Sequence, residues 1–343
     1  MVIQDAIKTV IGNISLSRVD ARDVFGDIMN GKATDAQIAA FIVALRMKGE
    51  TVDEITAAAE IMREKAEKIM PADSRFVVDT CGTGGDGSDT FNISTAAALV
   101  AAGAGARVAK HGNRSVSSRC GSADVLEALG VKVALDALSA EGCLNQAGIC
   151  FMFAPAMHKA MKFAAGPRKE IGVRTIFNIL GPLTNPAGAP AQVLGVFSAA
   201  LVAPLAQALN NLGSRHAYVV HGSDGLDEIT LCAETLVAEV VSGMVKTYSI
   251  KPEDYGFKRC TKEALAGGTP NDNAAIIRTI LSGVKGAPRD IVILNAAFAL
   301  TAAGVCDSVP DGLIKAANSI DSGAAAAVLS NLVEISNRVA AGI

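Results

Sequence analysis

The sequence has no tryptophan, and its other aromatic residues are few: 11 Phe and 3 Tyr in 343 residues. Half of the chain is nevertheless hydrophobic, so its core must consist mainly of aliphatic side chains, which favours helices packed closely against a sheet. Only 19% of the residues are charged, which excludes disorder as the main state. This length predicts about two domains.

An excess of positive charge and long apolar runs are also absent. With 31 Lys and Arg against 34 Asp and Glu, the net charge of −3 argues against nucleic acid or an anionic membrane as a partner. The longest apolar stretches, 93–106 and 291–305, contain polar residues or clustered glycines and fall short of the roughly 18–20 residues of a membrane span. The first residues lack the pattern of a secretory signal.

Cysteine and histidine occur in numbers that suit neither a disulfide framework nor a zinc site. The 7 cysteines are odd in number, none is arranged as CxxC, and there are only 4 histidines. Reduced thiols are typical of the cytoplasm, so a cytoplasmic protein is expected.

The first 70 residues are predicted to be entirely helical. Ser17 can cap a helix, and Thr34 with Gln37 and Thr51 with Glu54 have the spacing of capping boxes. An apolar helical period then continues until Pro71, which is expected to end the last of these helices.

From residue 76 onward, short apolar runs alternate with helical patterns. This alternation predicts a mostly parallel sheet with helices on both faces, and binding sites at the carboxyl ends of its strands. Residues 230–252 are expected to be β-rich, and helices are expected near 273–284, 288–304, 310–318 and 323–341. The expected parallel strands are 76–79, 107–109, 131–135, 149–153, 192–197 and 216–220.

Two loops have the composition of phosphate-binding sites. Residues 79–95 contain four glycines within six positions and end at Ser94 and Thr95, which are expected to open a helix and to favour a phosphate at its N-terminus. The loop is neither a Walker A sequence nor GxGxxG. Residues 109–118 form the second loop, which combines two cations, one histidine and several hydroxyls.

Two further segments offer charged groups. Pro167 suits the first turn of a helix, so Arg168 is expected near a helix start, where it can pair with a carboxylate, although a lone arginine is more often a surface residue. Asp227 and Glu228 follow a strand and can bind Mg²⁺ beside the phosphate loops, although such a pair is often only an acidic turn. This set of groups suits displacement of a phosphorylated leaving group by positioning and charge neutralisation.

Linked motifs in this order and spacing resemble those of the anthranilate phosphoribosyltransferases over essentially the whole chain. They are CGTGGD at 81–86, NIST at 92–95, KHGNR at 110–114, the serines at 117–118 with GSADVLEAL at 121–129, GPLTNP at 181–186 and the acidic pair at 227–228.

The resemblance implies an α/β fold with a small helical domain and a larger, mostly parallel-sheet domain, similar to the pyrimidine nucleoside phosphorylases. The helical domain would span 1–72 and be completed by an insertion near 167–190, and 73–343 would bind phosphoribosyl pyrophosphate. The implied reaction transfers the phosphoribosyl group to the amine of anthranilate in tryptophan biosynthesis and releases pyrophosphate. Two Mg²⁺ ions and a homodimer joined through the helical domains are implied as well.

The resemblance also implies a role for each matching residue. Lys110 and His111 would act by positioning and charge, with no acid or base catalyst, and His111 and Gly82 would line the path of anthranilate. Anthranilate would be held by Gly82, Asn113 and Arg168, and the metal by Ser94, Asp227 and Glu228. Phosphoribosyl pyrophosphate would contact Gly82, Gly85, Asp86, Thr90, Asn92, Ile93, Ser94, Thr95, Lys110, His111, Gly112, Asn113, Arg114, Ser115, Val116, Ser117, Ser118 and Ser122.

Two alternative functions remain at this point. A pyrimidine nucleoside phosphorylase shares the expected architecture and a glycine-rich loop, but the NIST and KHGN motifs argue against it. A non-catalytic relative that binds nucleic acid should be basic, whereas this chain has a net charge of −3.

Overall fold

Four helices form the N-terminal part of the fold. The computed structural model, which describes residues 1–115 and 119–341, has α1 at Ile3–Ile11, α2 at Arg18–Met29, α3 at Asp35–Lys48 and α4 at Val52–Lys65. Ser17 caps α2, and the two predicted capping boxes are present at the starts of α3 and α4.

The expectation that the last of these helices runs to Pro71 was wrong. Helix α4 ends at Lys65, and Ala66 is already extended, with φ −71° and ψ 147°. Beyond it the backbone bonds to distant segments instead, because the amide of Glu67 donates to the Met157 carbonyl and that of Ile69 to the Pro186 carbonyl. These tertiary bonds replace the helical ones.

A seven-stranded sheet lies at the centre of the molecule. Its spatial order is β3-β2-β1-β4-β5-β6-β7; the first five strands are parallel, and β6 and β7 are antiparallel additions. The expected mostly parallel sheet is therefore confirmed. The strands are β1 (Val77–Gly82), β2 (Arg107–Gly112), β3 (Ile149–Phe153), β4 (Ala191–Gly195), β5 (His216–Gly222), β6 (Thr235–Val241) and β7 (Met244–Ile250).

The strand expected at 131–135 is absent. Val131, Val133 and Leu135 are buried alternately, as in a strand, but the local backbone bonds are short-range: Val131 donates to Leu126 and Leu135 to Val133. Alternating apolar residues indicate that one side of the segment is buried. They do not show that a neighbouring strand is there to pair with it.

Eleven further helices follow in the described residues, and several of them, such as α5, α11 and α13, pack on the sheet. The expected helices of the C-terminal part are present, with boundaries shifted by one to three residues. No helix in the described part of the chain is both long and apolar enough to cross a bilayer. The helices are α5 (Ile93–Gly103), α6 (Ser122–Ala128), α7 (Ala137–Ala147), α8 (Ala154–Met157), α9 (Lys162–Ile171), α10 (Phe177–Leu180), α11 (Val202–Asn211), α12 (Pro270–Leu281), α13 (Ala287–Ala303), α14 (Val309–Asp321) and α15 (Ala324–Ala340).

The two faces of the sheet belong to different hydrophobic clusters. On one face, Val193 and Val220 pack with α5 and α13; on the other, Leu194 and Val219 pack with α11 and with the N-terminal helices. The second cluster also contains residues from α9 and α10; for example, Phe177 lies 6.3 Å from Phe25 between ring centres. The bundle, the segment 164–183 and one face of the sheet therefore share one core.

Candidate active site

The carboxyl ends of β1 and β4 meet the loop that follows β5. Gly82 pairs with Gly195; the Asp227 carboxylate lies directly against Gly82, and the Asp227 backbone lies directly against Gly195. A Cβ added to Gly195 would lie 1.6 Å from the Asp227 carbonyl oxygen, and one added to Gly82 would lie 2.6 Å from Asp227 Oδ2. Both positions therefore require glycine, because only its bare backbone leaves room for the acidic loop.

The glycine-rich loop after β1 is attached to its surroundings at consecutive residues. The Gly84 amide donates to Asp227 Oδ2 at 2.9 Å, and the Phe197 amide donates to Thr83 Oγ1 at 3.1 Å. Gly84 and Gly85 have φ values of +65° and +76°, which favour glycine. The loop thus turns sharply while it stays anchored.

Helix α5 opens beside this loop. It begins at Ile93, one residue before the expected Ser94, and the Ser94 amide donates to Glu228 Oε1 at 3.0 Å. Ile93 is buried in the core, and the buried Thr95 hydroxyl has no hydrogen-bond partner in the described residues. The helix N-terminus, which carries the predicted metal ligand Ser94, therefore faces a second predicted ligand, Glu228.

Asn92, Thr90 and Asp86 occupy the approach to this helix. Asn92 donates to the Cys120 carbonyl at 3.1 Å and accepts from Asn273 at 2.9 Å. Thr90 forms an isolated β-bridge with Ala266. The Asp86 carboxylate accepts only a long bond, 3.4 Å, from the Ser88 amide within the described residues.

Asp227 and Glu228 are the two acidic residues among the predicted metal ligands, and they are not exposed loop residues. Glu228 is 9% exposed, and the flanking Leu226 and Ile229 are 3% and 1% exposed, so these apolar neighbours draw the acidic pair inward. Burial raises the pKa of Glu228 to about 7. Burial, and then the charges of Asp86 and Glu228, raises the pKa of Asp227 well above its ordinary value.

This donor set suits a hard cation. Two carboxylates and the Ser94 hydroxyl are oxygen ligands, and neither carboxylate forms an ion pair with a described residue. The described residues contain no cluster of three or more His, Cys, Asp and Glu side chains that could enclose a metal. Mg²⁺ is typically held by one or two carboxylates and takes its other ligands from phosphate and water, so the residues present fit Mg²⁺.

Lys110 lies within β2, not in a loop. It is 3% exposed, and its ammonium donates to the Thr80 carbonyl and, at 3.4 Å, to Ser94 Oγ. Burial lowers the pKa of Lys110, and the charge of Asp79 opposes that effect. The expectation that the second loop begins before Lys110 was therefore wrong, because the strand continues through Gly112.

His111 is held in one orientation as a neutral side chain. Its Nδ1 lies 3.1 Å from the Gly181 carbonyl oxygen, which can only accept, so Nδ1 carries the proton and Nε2 the lone pair. Burial lowers the pKa of His111 to about 3. Nε2 is buried and has no partner in the described residues.

His158, for which the sequence predicts no role, lies beside His111. The ring centres are 5.0 Å apart, and the His158 Nε2 is likewise buried without a partner in the described residues. Burial lowers the pKa of His158 to about 4. Its position just after the short helix α8 carries no sequence signal of a site.

Asp79 and Asn185 are further residues that the sequence analysis missed. Asp79 is fully buried; it accepts from the His111 amide at 3.2 Å and from Asn185 Nδ2 at 2.7 Å. Asn185 also donates to the Ala109 carbonyl at 2.8 Å. The GPLTNP motif, which contains Asn185, is the sequence signal that could have identified it. The hydrogen bonds of Asn185 to Asp79 and Ala109 connect residues 181–186 to β1 and β2.

The predicted phosphate ligands that follow β2 are attached to α6. Arg114 forms ion pairs with Asp124 at 2.9 Å and Glu127 at 2.6 Å. The Asn113 carbonyl accepts from the Ser122 hydroxyl at 3.2 Å. The Ser115 amide donates to Asp124 at 3.1 Å, and Gly112 packs against Ser122 and Phe151. Val116, Ser117 and Ser118 lie outside the described residues.

Arg168 is not near a helix start. Helix α9 begins at Lys162, so Pro167 lies inside it and Arg168 lies in its last turn. The helix continues through the proline at the cost of one backbone hydrogen bond. The Arg168 guanidinium lies 5.2 Å from the ring centre of Phe177 and forms no ion pair with a described residue, and burial lowers its pKa. Arg168 is therefore a partly buried cation that can form an ion pair with an anionic ligand.

Family profiles match both parts of this architecture. The profile "Glycosyl transferase family, a/b domain" matches residues 74–326, and "Glycosyl transferase family, helical bundle domain" matches residues 4–66. A curated anthranilate phosphoribosyltransferase from Moorella thermoacetica is 57% identical over 327 residues, which cover 95% of this chain and 96% of the relative. The chain belongs to the anthranilate phosphoribosyltransferase family.

Solved structures of this family have the same fold. The anthranilate phosphoribosyltransferase of Thermus thermophilus is 45% identical, with a TM-score of 0.92 over 97% of this chain and 99% of that one. The Saccharomyces cerevisiae enzyme, solved in complex with PRPP and Mg, is 27% identical, with a TM-score of 0.89 over 98% of both chains. The predicted fold class and transferase activity are confirmed: the chain is a phosphoribosyltransferase with anthranilate as acceptor.

Proposed function

We propose that this site binds phosphoribosyl pyrophosphate across the glycine-rich loop and the start of α5, and that it delivers the phosphoribosyl group to the amine of anthranilate. The observation that carries the proposal is a pair of contacts. Asp227 accepts from the Gly84 amide and Glu228 from the Ser94 amide, so both carboxylates sit between the two segments that offer amide donors to phosphate. The yeast relative solved with PRPP and Mg supports it.

The metal site in this proposal holds two Mg²⁺ ions on Ser94, Asp227 and Glu228. Bound Mg²⁺ supplies positive charge to the pyrophosphate leaving group. The chain's own part is to hold both carboxylates in place through the Gly84 and Ser94 amides, and the neighbouring Lys110 favours the charged form of Glu228 against the effect of burial. The yeast structures solved with Mg support a magnesium site.

The donor substrate in this proposal contacts the loop after β1, the start of α5, the end of β2 with the loop that follows it, and the start of α6. Amides and hydroxyls suit its phosphates, and Lys110 adds a buried positive charge. Arg114 is also paired with two carboxylates, Asp124 and Glu127, and through them it holds its loop against α6. The proposed contacts are Gly82, Gly85, Asp86, Thr90, Asn92, Ile93, Ser94, Thr95, Lys110, His111, Gly112, Asn113, Arg114, Ser115, Val116, Ser117, Ser118 and Ser122.

Anthranilate in this proposal is held by Gly82, Asn113 and Arg168. The guanidinium of Arg168, which forms no ion pair within residues 1–115 and 119–341, receives its carboxylate in a charge-assisted and geometrically specific contact. The aromatic amine is already unprotonated near neutral pH, so the reaction needs no strong base. Lys110 and His111 act by charge and position, and His111 stays neutral while it does so.

A homodimer joined through the helical domains is part of the proposal. Large apolar side chains are exposed on the first three helices and their connections, including Val19 at 70% and Met47 at 83%. Exposed apolar groups gathered on one part of a molecule are typical of interfaces.

We assign residues 1–72, with an insertion near 167–190, to the helical domain, and 73–343 to the α/β domain. The cytoplasm is the proposed location, because no disulfide joins any of the cysteines in the described residues, which is typical of that compartment.

The test is a substrate comparison with the purified protein. Anthranilate fluorescence should decay on addition of phosphoribosyl pyrophosphate and Mg²⁺, and the decay should stop when a chelator removes the metal. Thymidine with inorganic phosphate should yield no free base. Phosphorolysis of thymidine without consumption of anthranilate would assign the site to the alternative enzyme class.

A further inference from the structure

Three consecutive residues of the glycine-rich loop are held by three different parts of the fold. The Thr83 amide donates to the Gly195 carbonyl at the end of β4, at 2.9 Å, and the Gly84 amide donates to Asp227. The Gly85 carbonyl accepts from Arg174 Nη2 at 2.5 Å. The first two contacts come from the end of β4 and from the loop that follows β5, whereas Arg174 lies in the connection between α9 and α10, which packs with the helical bundle.

Arg174 is seated on an aromatic ring beside the loop. Its guanidinium carbon lies 4.4 Å from the ring centre of Phe197, and the backbone amide of Phe197 donates to Thr83 Oγ1. The loop, the ring and the guanidinium therefore form one connected unit. A guanidinium held over a ring face can still donate from its N–H groups in a fixed fork geometry, which an ammonium cannot reproduce.

The approach of Arg174 depends on the glycine that it contacts. Gly85 has φ +76°, and a Cβ there would lie 3.1 Å from Arg174 Nη2. Arg174 is exposed and forms no ion pair with a described residue, so its contribution to global stability is small. Its hydrogen bond to the Gly85 carbonyl orients the peptide group between Gly85 and Asp86.

Fixing the Gly85 carbonyl also fixes the next amide. In a trans peptide the C=O and the following N–H point in opposite directions, so the Asp86 N–H must point away from Arg174. This N–H donates to no group in the described residues. A loop amide that is aimed by its carbonyl and left unpaired is available to an anion.

We propose that Arg174 is a positioning residue for the donor substrate, because it holds the Gly85 carbonyl and thereby presents the Asp86 amide to a phosphate of phosphoribosyl pyrophosphate. The inference rests on the proposed assignment of that loop to the donor substrate. It also gives the helical part of the molecule a direct contact with the phosphate loop. Arg174 does not touch the reacting atoms in this role.

The test compares four single variants: Arg174→Ala, Arg174→Lys, Phe197→Leu and, as control, Arg75→Ala. Arg75 is an exposed arginine that precedes β1 and pairs with Asp73, at the opposite end of that strand. Arg174→Ala should raise the KM for phosphoribosyl pyrophosphate about tenfold, with the KM for anthranilate and the melting temperature nearly unchanged. Arg174→Lys should recover part of the loss, Phe197→Leu should show a smaller rise, and Arg75→Ala should behave as wild type.

Amide exchange supplies a readout that does not depend on activity. In the ligand-free protein, Arg174→Ala should speed exchange at residues 84–86 and leave β4 and β5 unchanged. An unchanged KM for phosphoribosyl pyrophosphate in Arg174→Ala, or an equal rise in both KM values with a large drop in melting temperature, overturns the inference. If the wild-type protein does not consume anthranilate, the proposed function fails, and unchanged exchange at 84–86 then also refutes the loop contact.

Discussion

Glu228 shows at the scale of one residue how burial changes the meaning of a charged side chain. Its carboxylate lies in the interior, where it accepts from the Ser94 amide, and burial raises its pKa to about 7 from the ordinary 4.5. The folded state therefore binds an extra proton between these two values. The contribution of Glu228 to the free energy of unfolding is greatest below pH 4.5, falls as the pH rises to 7 and stays low above it.

We therefore expect Glu228→Gln, alone or with Asp227→Asn, to be at least as stable as the wild type at about pH 8. Activity at saturating Mg²⁺ should fall by about 100-fold, because the metal loses a charged ligand. Melting curves between about pH 5 and pH 8, with and without the substitution, measure the first effect and anthranilate fluorescence the second. Glu334→Gln, at a side chain that is 73% exposed, is the matched control and should change neither. Retained activity would remove Glu228 from the metal site.

Arg168 is a partly buried cation with no carboxylate partner among the described residues. We expect Arg168→Ala to raise the KM for anthranilate by about 10- to 150-fold, because a charge-assisted hydrogen bond contributes about 1.5–3 kcal/mol. The KM for phosphoribosyl pyrophosphate should change little, and Arg168→Lys should restore only part of the affinity. Steady-state kinetics with each substrate varied in turn measure this. A rise confined to phosphoribosyl pyrophosphate would place Arg168 in the phosphate site instead.

Single residues also show what the sequence could and could not predict. Asp227 and Arg168 were predicted as site candidates by charge and motif, but their burial was not, because burial depends on neighbours distant in the chain. Asp79 and Asn185 are 106 residues apart and meet only through the packing of three segments, so no local pattern marks them as partners. His158 was missed for the same reason.

At the scale of elements, boundaries set by local chemistry were predictable and those set by tertiary bonds were not. The capping boxes of α3 and α4 depend on residues three positions apart, and both are present as predicted. The end of α4 depends on bonds from Glu67 and Ile69 to remote carbonyls, and the prediction there was wrong. Strand β2 is a third case, because its pairing with β3 extends it through Gly112.

Strand β2 therefore divides the second predicted loop into two parts with different behaviour. Lys110 and His111 are paired with Phe151 and Met152 in β3, so we expect their amides to exchange slowly even without ligand. Addition of phosphoribosyl pyrophosphate with Mg²⁺ should slow exchange at residues 113–115, and anthranilate alone should hardly affect it. Hydrogen exchange followed by mass spectrometry measures both. Fast exchange at 110–111 in the free protein would contradict the strand assignment.

At the scale of the whole molecule, the helical bundle and one face of the sheet form a single hydrophobic cluster. Leu194 and Val219 of the sheet and Phe25 and Phe177 of the helical part are all buried in it. The segment between β3 and β4 therefore reaches the bundle, and it also carries Arg168, Arg174 and Asn185, of which the two arginines have proposed roles in substrate binding. In the sequence, this long segment is recognisable only by its motifs. The core that it shares with the bundle and the sheet can be seen only in the folded structure.

The exposed apolar residues of the helical part support the last prediction, which concerns assembly. Val19 is 70% exposed and Met47 is 83% exposed, and both lie outside the shared core. If copies of the chain pair through this surface, Val19→Asp with Met47→Asp places charges where apolar area is buried on association, which opposes it. We expect the wild type to sediment as a dimer and the double variant as a folded monomer, with an unchanged far-ultraviolet circular dichroism spectrum. Leu138→Asp, at a side chain of α7 that is 78% exposed, is the matched control and should remain a dimer. A wild type that is monomeric at micromolar concentration, or a double variant that remains dimeric, would refute the proposed interface.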